Sequence, residues 1–344
     1  MQIAGIEIGI DHPPFIIAEM SGNHNQSLER ALAIVDAAAF AGVNAIKLQT
    51  YTADTMTMVN TFTIKDPTSP WYGRELYDLY NEAHTPWEWH ETIFNHAKKR
   101  GLICFSSPFD ESAVDFLETL NVPIYKIASF ENTDHPLLKK VASMGKPIIL
   151  STGVCPFDEL NESVSLIRDS GCKDLVLLKC TSTYPSSPEN SNINTIPEMS
   201  TKFKCLVGLS DHTNGIGVAI AAIALGARVI EKHFTLNRSD GGPDASFSME
   251  PAEMKLLVDE SKKAFLGLGS VQYEVQPVEK NSLVFKRSIY IAENIQEGEV
   301  FSTNNLRIIR PGIGIAPKYF NSIIGRKSNR KLSKGNPLNW EYII

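Results

Sequence analysis

The stretch LVGLSDHTNGIGVAIAAIALGARVIEKHF, residues 206–234, has the pattern of a strand, a helix and a second strand, with a histidine at the carboxyl end of each strand. His212 follows the first strand and His233 falls at the end of the second. Because the carboxyl ends of parallel strands meet at one rim of a sheet, we expect the two imidazoles to lie side by side. Imidazole binds divalent metals, and two protein ligands leave positions open for substrate oxygens. The spacing leaves a second interpretation open, in which two unrelated histidines form ordinary hydrogen bonds.

The same strand and helix unit repeats along most of the chain. The predicted strands are FIIAE (15–19), AIKLQT (45–50), ICFSSP (103–108), IYKIAS (124–129), PIILST (147–152), LVLLKC (175–180), LVGLS (206–210) and VIEKHF (229–234). Eight strands that alternate with helical patterns over about 250 residues predict a (β/α)₈ TIM barrel. A doubly wound open sheet is the alternative. It normally has a glycine-rich first turn, whereas MSGNHNQS follows the first strand here.

The chain is predicted to contain two domains. Residues 1–269 form the barrel, 270–282 lack clean periodicity and are predicted to be a linker, and 283–344 have the short strands and polar turns of a small β-rich domain. Residues 51–84 make an unusually long connection between the second strand and its helix. Because long loops inside compact domains are usually functional, this segment is predicted to be a lid or a dimer contact, with a simple insertion as the alternative.

Composition argues against several classes of function. The formal net charge is −6 and no long basic stretch is present, which disfavours binding to nucleic acid or to an anionic membrane surface. Five cysteines without a CxxC pair suggest neither a disulfide scaffold nor a zinc knuckle. The sequence contains no signal-peptide pattern and no run of about 18 apolar residues. We therefore expect a soluble cytoplasmic enzyme that acts on small molecules.

Polar residues interrupt the apolar runs at the carboxyl ends of the predicted strands, where barrel enzymes build their active sites. They are Glu19, Lys47, Gln49, Ser106, Ser107, Lys126, Ser129, Ser151, Thr152, Ser210, His212, Glu231 and His233. Two lysines and several hydroxyls around one rim suit a substrate with phosphate and carboxylate groups. Together with the histidine pair, they would suffice for metal-assisted carbon–carbon bond formation on a carbonyl. A Schiff base on one of the lysines is an alternative that the sequence leaves open.

Motifs along nearly the whole chain resemble those of the sialic acid synthase family. In order, they are FIIAEMSGNHNQSLERA, AIKLQTY, ICFSSPF, YKIASFE, LSTG, KCTSTYP, GLSDHT, VIEKHF and GGPDASFSMEP. The segment KRSIYIAENIQEGEVFSTNNLRIIRPGIG resembles the antifreeze-like (SAF) domain at the carboxyl end of that family. Within the family, QTYTADTMT, GRELYDLYNEAHTPWEWH and CTSTYPS are most similar to the branch that makes pseudaminic acid.

The resemblance implies that phosphoenolpyruvate condenses with open-chain 2,4-diacetamido-2,4,6-trideoxy-L-altrose to give pseudaminic acid and phosphate. It implies that His212 and His233 hold a divalent metal (Mn²⁺, Mg²⁺ or Co²⁺) that polarises the sugar aldehyde, and that Glu19 is the acid/base group for the attacking water. The positions matched to phosphoenolpyruvate are Lys47, Ser107, Lys126, Ser129, Ser151, Ser182 and Ser210, and those matched to the sugar are Gln49, Tyr184, Asp244 and Arg310. In this family the arginine reaches into a partner's site, which implies a domain-swapped homodimer.

Two positions depart from the neuraminate synthases of the family. Ser182 stands where they typically carry asparagine, and Ser107 stands where they carry threonine. Both changes keep a hydrogen-bonding group, so they bear on which sugar is used rather than on the reaction. N-acetylneuraminate and legionaminic acid synthases are the alternatives within the family. A Schiff-base aldolase and a non-catalytic sugar-binding or ice-binding protein are the alternatives outside it.

Overall fold

A computed structural model describes all 344 residues, which divide into two compact units, Met1–Gly269 and Ser270–Ile344. In the first unit, eight parallel strands close into a barrel, which confirms the predicted (β/α)₈ fold. These strands are β3 (Phe15–Glu19), β4 (Ala45–Thr50), β5 (Ile103–Pro108), β6 (Tyr125–Ile127), β7 (Ile148–Ser151), β8 (Leu175–Cys180), β9 (Leu206–Ser210) and β10 (Val229–His233). Each strand pairs with the next one along the chain, and β10 pairs with β3 to close the ring.

α-Helices cover the outside of the barrel. They are α1 (Leu28–Ala41), α4 (His90–Lys99), α5 (Glu111–Thr119), α6 (His135–Ser143), α7 (Phe157–Asp169), α8 (Thr195–Phe203), α9 (Gly217–Ala224) and α10 (Pro251–Leu268), and α2 (Ala53–Met56) and α3 (Leu76–Ala83) lie in the connection between β4 and α4. The two ends of α1 have typical capping residues. Ser27 accepts a hydrogen bond from Arg30 N at its start, and Gly42 follows its last residue with a φ of 82°, which suits glycine at a helix end.

The barrel interior is apolar at its amino-terminal end and polar at its carboxyl end. Strand periodicity turns alternate residues inward, so every second position of a strand contributes to this interior. The buried apolar interior residues include Phe15, Ile17, Ala45, Phe105, Ile124, Ile149, Val176, Leu178 and Val229. Ile3 and Ile8, from the hairpin of β1 (Gln2–Ile3) and β2 (Ile6–Glu7), pack on this cluster. The amino-terminal end is thereby filled, and the polar side chains gather at the opposite rim.

The long connection 51–84 is partly regular. After α2, residues 62–76 form a hairpin in which Ile64 N donates to Arg74 O and Leu76 N donates to Phe62 O, both at 2.9 Å. The helix α3 then leads to α4 through a 3₁₀ turn at Trp87–Trp89. The segment predicted as one long loop therefore contains two short helices and a hairpin.

The second unit has its own small apolar core. It contains a 3₁₀ helix (Pro277–Phe285), the antiparallel pair β11 (Ser288–Ile291) and β12 (Leu306–Ile309), and α11 (Phe320–Ile323). The core residues are Ile289, Ile291, Ile295, Phe301, Leu306, Ile315, Ile323, Leu332, Leu338 and Ile343. Across both units, every helix is too short or too polar to cross a lipid bilayer.

Candidate active site

The interior polar residues meet around Glu231, which lies between two lysines. Lys47 Nζ is 3.9 Å from Glu231 Oε2, and Lys126 Nζ is 3.7 Å from Glu231 Oε1. Ser210 Oγ donates a hydrogen bond of 3.2 Å to the same Oε1 atom. All four side chains are buried. The ammonium groups of β4 and β6 therefore face one carboxylate inside the barrel.

Glu19 is the second carboxylate of this cluster. It pairs with Lys47, while its Oε1 atom is buried without a hydrogen-bond partner. The strand register accounts for this position, because Glu19 on β3 is the direct partner of Lys47 on β4 and of His233 on β10. Glu19 thus lies between Lys47 on one neighbouring strand and His233 on the other.

Burial and neighbouring charge shift these four groups in different directions. Burial raises the pKa of Glu19 to about 7, although Lys47 opposes the shift. Burial would also raise the pKa of Glu231, but Lys126 and Lys47 hold it below its usual value. Burial lowers the pKa of Lys126, whereas the carboxylates beside Lys47 outweigh burial and raise the pKa of that lysine. Near neutral pH, Glu19 is therefore able both to accept and to release a proton.

Two serine hydroxyls contact the lysines directly. Ser107 Oγ accepts a hydrogen bond of 3.2 Å from Lys47 Nζ, and Ser151 Oγ accepts one of 2.6 Å from Lys126 Nζ. Each lysine thus has a hydroxyl on one side and a carboxylate on another. An ammonium group held in this way keeps a fixed direction toward an incoming anion.

Two further serine hydroxyls converge over Gly153, just beyond β7. Ser129 Oγ accepts a hydrogen bond of 3.1 Å from Gly153 N. A Cβ atom at residue 153 would lie 2.2 Å from Ser182 Oγ and 2.6 Å from Ser129 Oγ, distances that no side chain tolerates. A side chain at residue 153 would therefore displace these hydroxyls from their present positions. Of the seven positions predicted to contact phosphoenolpyruvate, five lie on barrel strands (Lys47, Ser107, Lys126, Ser151 and Ser210), and two lie just beyond β6 and β8 (Ser129 and Ser182).

The two predicted metal-binding histidines are neighbours. The ring centroids of His212 and His233 are 5.4 Å apart, and His212 Nδ1 lies 2.9 Å from the carbonyl oxygen of Thr181. His233 is half-buried, and its Nδ1 atom is buried without a hydrogen-bond partner. Burial, reinforced by His212, holds the pKa of His233 well below its usual value, so this ring is neutral.

The ring of His233 has the chemistry needed to bind a divalent ion, and His212 lies beside it. A neutral imidazole with an unpartnered, buried ring nitrogen is the form that binds a metal. No cluster of three or more histidine, cysteine, aspartate or glutamate side chains arranged to hold a metal is present, so the pair stands without a third protein ligand of these types. A two-histidine site would leave most of the coordination sphere to substrate and water.

Three of the four residues predicted for the sugar, Gln49, Tyr184 and Asp244, border a cavity of about 610 Å³, and His233 contributes to the same wall. The ring of Tyr184 lies 4.3 Å from that of His212, centroid to centroid. The carboxylate of Asp244 accepts hydrogen bonds from Ser21 Oγ and, at 3.2 Å, from Gly22 N. Much of the remaining wall comes from the connection 51–84.

Sequence reasoning gave no role to two residues of this site. Glu131 lines the cavity, and burial raises its pKa to about 7. Cys180 ends β8 next to Ser182, with 3.6 Å between Sγ and Oγ. Burial would raise the pKa of its thiol, but a hydrogen bond with His212 lowers it to about 7. The alternation of inward and outward residues along β8 could have predicted that Cys180 lies in the barrel interior. Glu131 follows the shortened strand β6, and no sequence pattern indicated its position.

Two other positions lie apart from the cluster. Ser106 was expected at the rim, but it is on the outward face of β5, where its hydroxyl is 2.6 Å from Thr50 Oγ1. Successive residues of a strand face opposite sides, so Ser107 and Ser106 cannot both point inward. Arg310 belongs to the second unit, directly follows β12 and is exposed. Its predicted contact with the sugar stays a prediction.

Comparison with known proteins agrees with this layout. The chain matches the NeuB family over residues 34–273 and the SAF domain over residues 286–343. It is 42% identical to the pseudaminic acid synthase of Campylobacter jejuni, with 98% of each chain covered. It is also 42% identical to the pseudaminic acid synthase of Helicobacter pylori, with 95% of this chain and 96% of the relative covered.

A solved structure extends the likeness to three dimensions. The N-acetylneuraminic acid (sialic acid) synthetase of Leptospira borgpetersenii superposes with a TM-score of 0.74 at 32% identity, covering 82% of this chain and 94% of that chain. The resemblance inferred from the sequence motifs is therefore confirmed, for the barrel as well as for the carboxyl-terminal domain. The chain belongs to the NeuB family and carries a SAF domain at its carboxyl end.

Proposed function

We propose that this protein is a pseudaminic acid synthase, which condenses phosphoenolpyruvate with open-chain 2,4-diacetamido-2,4,6-trideoxy-L-altrose. The relatives from Campylobacter jejuni and Helicobacter pylori that bear this name support the assignment. The observation that carries it is the division of the rim into two halves. Lys47 and Lys126 with their serine partners form one half, and His212 and His233 beneath an aromatic cavity form the other.

Phosphoenolpyruvate binds in the lysine half. Its phosphate and carboxylate are both anionic, and compact ammonium groups with hydroxyl neighbours are suitable partners for them. Lys47 and Lys126 are 3% and 2% exposed, so water screens their charge only weakly. The fixed ammonium groups then stabilise negative charge that develops on the departing phosphate.

The sugar binds in the histidine half, with its aldehyde toward His212 and His233. These two imidazoles would hold Mn²⁺, Mg²⁺ or Co²⁺. When bound, the ion withdraws electron density from the aldehyde and makes its carbon more electrophilic. Tyr184 packs on His212 and limits the space in which the aldehyde end can move.

Glu19 handles the proton of the attacking water. The enol carbon of phosphoenolpyruvate forms the new bond to the aldehyde carbon, and the aldehyde oxygen takes the C=O π electron pair and a proton to become a hydroxyl. The adjacent carbon of phosphoenolpyruvate is left cationic. Water adds to that carbon and loses a proton, after which the carbon–oxygen bond to phosphate breaks and a ketone forms. Glu19 lies between the two halves, and its pKa of about 7 suits it to accept the proton.

The functional assembly is a homodimer in which the SAF domain of each chain completes the partner's site. Arg310 is exposed and forms no ion pair within its own chain, so its guanidinium is available to a substrate oxygen. The rigid donor fork of arginine suits a carbonyl or carboxylate better than lysine does.

Phosphate release from phosphoenolpyruvate tests the reaction and the sugar together. The purified enzyme is incubated with the 6-deoxy altrose derivative, with N-acetylmannosamine, with the legionaminic acid precursor or with no sugar. We expect the highest kcat/KM with the altrose derivative and a product mass equal to pseudaminic acid. A preference for another sugar would assign the protein to a different branch. Covalent trapping by borohydride would instead identify a Schiff-base aldolase.

Metal binding is tested separately by calorimetry on chelator-treated protein. We expect about one Mn²⁺ or Co²⁺ per chain in the wild type and nearly complete loss in His212→Ala, because one imidazole cannot hold the ion alone. His96→Ala is the matched control, since its imidazole pairs with Asp36 on the outer helices, 2.6 Å away. Equal binding by the two variants would remove the histidine pair from the proposal.

A further inference from the structure

Much of the wall of the cavity is built by the connection 51–84, and neither Lys47 nor Lys126 lines it. Met56, Ile64, Trp71, Leu79 and Tyr80 from this segment face the cavity. The hairpin at 62–76 carries Trp71 near its turn. None of these side chains forms a hydrogen bond or ion pair with Lys47 or Lys126. The segment therefore acts on the sugar half of the site rather than on the phosphoenolpyruvate half.

Trp71 connects this hairpin to Tyr184 and to the residue before Asp244; Tyr184 and Asp244 are both assigned to the sugar. Its indole Nε1 donates a hydrogen bond of 2.6 Å to the carbonyl oxygen of Pro243, the residue before Asp244. Its ring lies 5.5 Å from the ring of Tyr184 and 6.1 Å from that of Phe247. Phe247 in turn lies 5.0 Å from His233. One side chain thus joins the hairpin, the loop after β10 and the aromatic group above the histidines.

The surface beside Trp71 is suited to methyl groups. The substrate of the proposed reaction carries a methyl group at carbon 6 and methyl groups on two acetamido substituents, and aromatic faces remove such groups from water favourably. The polar side chains of the hairpin are partly engaged with each other, since Thr68 donates to Asp66 through both its backbone N and its hydroxyl. A hydroxyl at carbon 6 would lose water against the indole without gaining a partner from it.

We propose that Trp71 is the specificity-determining residue for the deoxy end of the sugar. Its ring forms an apolar contact surface for the substrate's methyl groups. The hydrogen bond from its Nε1 to Pro243 O keeps the hairpin in place beside them. The inference rests on the proposed function and adds to it the residue that distinguishes a 6-deoxy sugar from its 6-hydroxy counterpart. Trp71 acts on binding and selection, while the bond-forming residues lie on the barrel strands.

Steady-state kinetics with two sugars test this proposal. The 6-deoxy altrose derivative and its 6-hydroxy counterpart are each titrated at saturating phosphoenolpyruvate, and the KM for phosphoenolpyruvate is measured in parallel. We expect the wild type to prefer the 6-deoxy sugar by up to about 10²-fold in kcat/KM, the limit for an apolar pocket that rejects an added hydroxyl. Trp71→Ala should raise the KM of the 6-deoxy sugar at least about tenfold and bring the preference close to one, with the KM for phosphoenolpyruvate unchanged.

Two further variants distinguish the contribution of the Trp71 ring from that of its hydrogen bond and from that of the hairpin as a whole. Trp71→Phe keeps an aromatic face but loses the donor to Pro243 O, so it should raise the sugar KM while keeping most of the preference. Tyr72→Ala changes the exposed neighbour on the same hairpin and should behave like the wild type. An effect of Tyr72→Ala equal to that of Trp71→Ala would overturn the proposal, because the hairpin as a whole would then be responsible.

Failure of the inference and failure of the proposed function give different results. If the wild type does not use the 6-deoxy sugar, the proposed function is wrong and the inference fails with it. If the wild type uses and prefers that sugar but Trp71→Ala keeps the same KM and the same preference, only the inference fails. Thermal unfolding of each variant establishes that the comparison is made on folded protein.

Discussion

At the scale of single residues, the centre of the site contains two carboxylates, Glu19 and Glu231, whose neighbours differ. Glu19 has one contact with Lys47 and a buried oxygen without any, whereas Glu231 lies between two lysines and accepts a hydrogen bond from Ser210. Burial raises the pKa of Glu19 to about 7, whereas Lys126 and Lys47 outweigh burial and hold the pKa of Glu231 below its usual value. The two carboxylates are therefore suited to different tasks, proton transfer and the positioning of cations.

Replacement of Glu19 by glutamine tests the proton-transfer role. The amide keeps the shape but exchanges no proton, so we expect kcat to fall about 10²–10⁴-fold with little change in the KM for phosphoenolpyruvate. The pKa of Glu19 is raised to about 7. Its basic form is therefore populated above that pH, and wild-type activity should rise as the pH passes through 7.

The same rise should be absent from Glu19→Gln. The matched control is Glu118→Gln, which removes a carboxylate paired with Lys146 at 2.7 Å outside the site and should leave both the rate and the pH profile intact. A Glu19→Gln enzyme with the wild-type rate, or with the wild-type pH profile, would exclude Glu19 from the mechanism.

A buried ion pair outside the cavity supports the two histidines. Lys232 Nζ is 2.8 Å from Asp211 Oδ2 and donates to Thr213 O at 2.7 Å, and both charged side chains are almost completely buried. Asp211 immediately precedes His212, and Lys232 immediately precedes His233. The pair therefore links the two chain segments that carry the imidazoles.

Lys232→Met should destabilise the protein strongly, because it leaves the carboxylate of Asp211 buried without its partner. Loss of one member of such a pair costs about 3–5 kcal/mol, and the double variant Lys232→Met/Asp211→Asn should recover part of that loss. Lys255→Met, which removes a half-exposed helix pair with Asp259, should change stability little. Urea unfolding measures all three, and equal effects of Lys232→Met and Lys255→Met would contradict the prediction.

Most individual site residues could be predicted from the sequence, because they are polar residues near the carboxyl ends of otherwise apolar strands. Lys47, Lys126 and His233 are polar residues near the ends of strands that are otherwise buried, which is a strong signal in a barrel. Ser106 was assigned wrongly because two adjacent serines give no indication of which one faces inward. Glu131 lies in a 3₁₀ turn (Ser129–Glu131), and its depth depends on tertiary packing that no local pattern encodes.

At the scale of elements, the strands were predicted closely and the connections were not. β3, β4, β5, β8 and β9 have the predicted ends, because their apolar runs are bounded by turns and polar residues. β6 is shorter than predicted, since the chain turns into a 3₁₀ helix at Ser129. The hairpin at 62–76 alternates apolar and polar residues only over 62–65, a run too short to predict a strand on its own.

The pair β9–β10 depends on a glycine. Gly208 on β9 is the register partner of Val229 on β10, and a Cβ atom there would lie 2.1 Å from Val229 O and 2.6 Å from Leu178 Cδ2. A side chain at this position would push apart the two strands that carry His212 and His233.

Gly208→Ala should therefore lower stability and weaken metal binding together. Overpacking in a filled core typically costs about 1–3 kcal/mol. Gly267→Ala, in α10 with open space around it, is the matched control and should be as stable as the wild type or up to about 1 kcal/mol more stable. Chemical unfolding and metal titration of both variants check this. Normal metal affinity in a destabilised Gly208→Ala protein would show that the strand spacing does not control the histidine pair.

At the scale of the whole molecule, the chain has a large unit with the reaction site and a small unit with an arginine of predicted importance. The second unit, Ser270–Ile344, has a core of its own, but that core is small and is formed largely by isolated apolar residues from loops. A domain of this size gains stability from association. The motifs of the sequence allowed its type to be predicted, whereas quaternary structure lies beyond what local patterns encode.

Complementation between two inactive variants tests whether the arginine acts on a partner chain. Glu19→Gln chains and Arg310→Ala chains are each expected to be inactive alone, the second because it lacks the guanidinium proposed to bind the substrate. After subunit exchange, a mixed dimer with swapped domains has one site that combines an intact Glu19 with an intact Arg310 from the other chain. Random exchange at equal concentrations should thus restore about one quarter of wild-type activity.

The opposite arrangement gives a clear negative result. If Arg310 served the barrel of its own chain, every site in the mixture would still lack either the carboxylate or the guanidinium, and exchange would restore nothing. Exchange itself is verified with differently tagged chains recovered together. A Glu19→Gln/Arg310→Ala double variant mixed with wild type is the control for dominant effects, because under domain swapping its mixed dimers contain only sites with a single lesion. An inactive mixture after verified exchange would disprove the swapped dimer, and recovery near one quarter would establish that each active site is built from two chains.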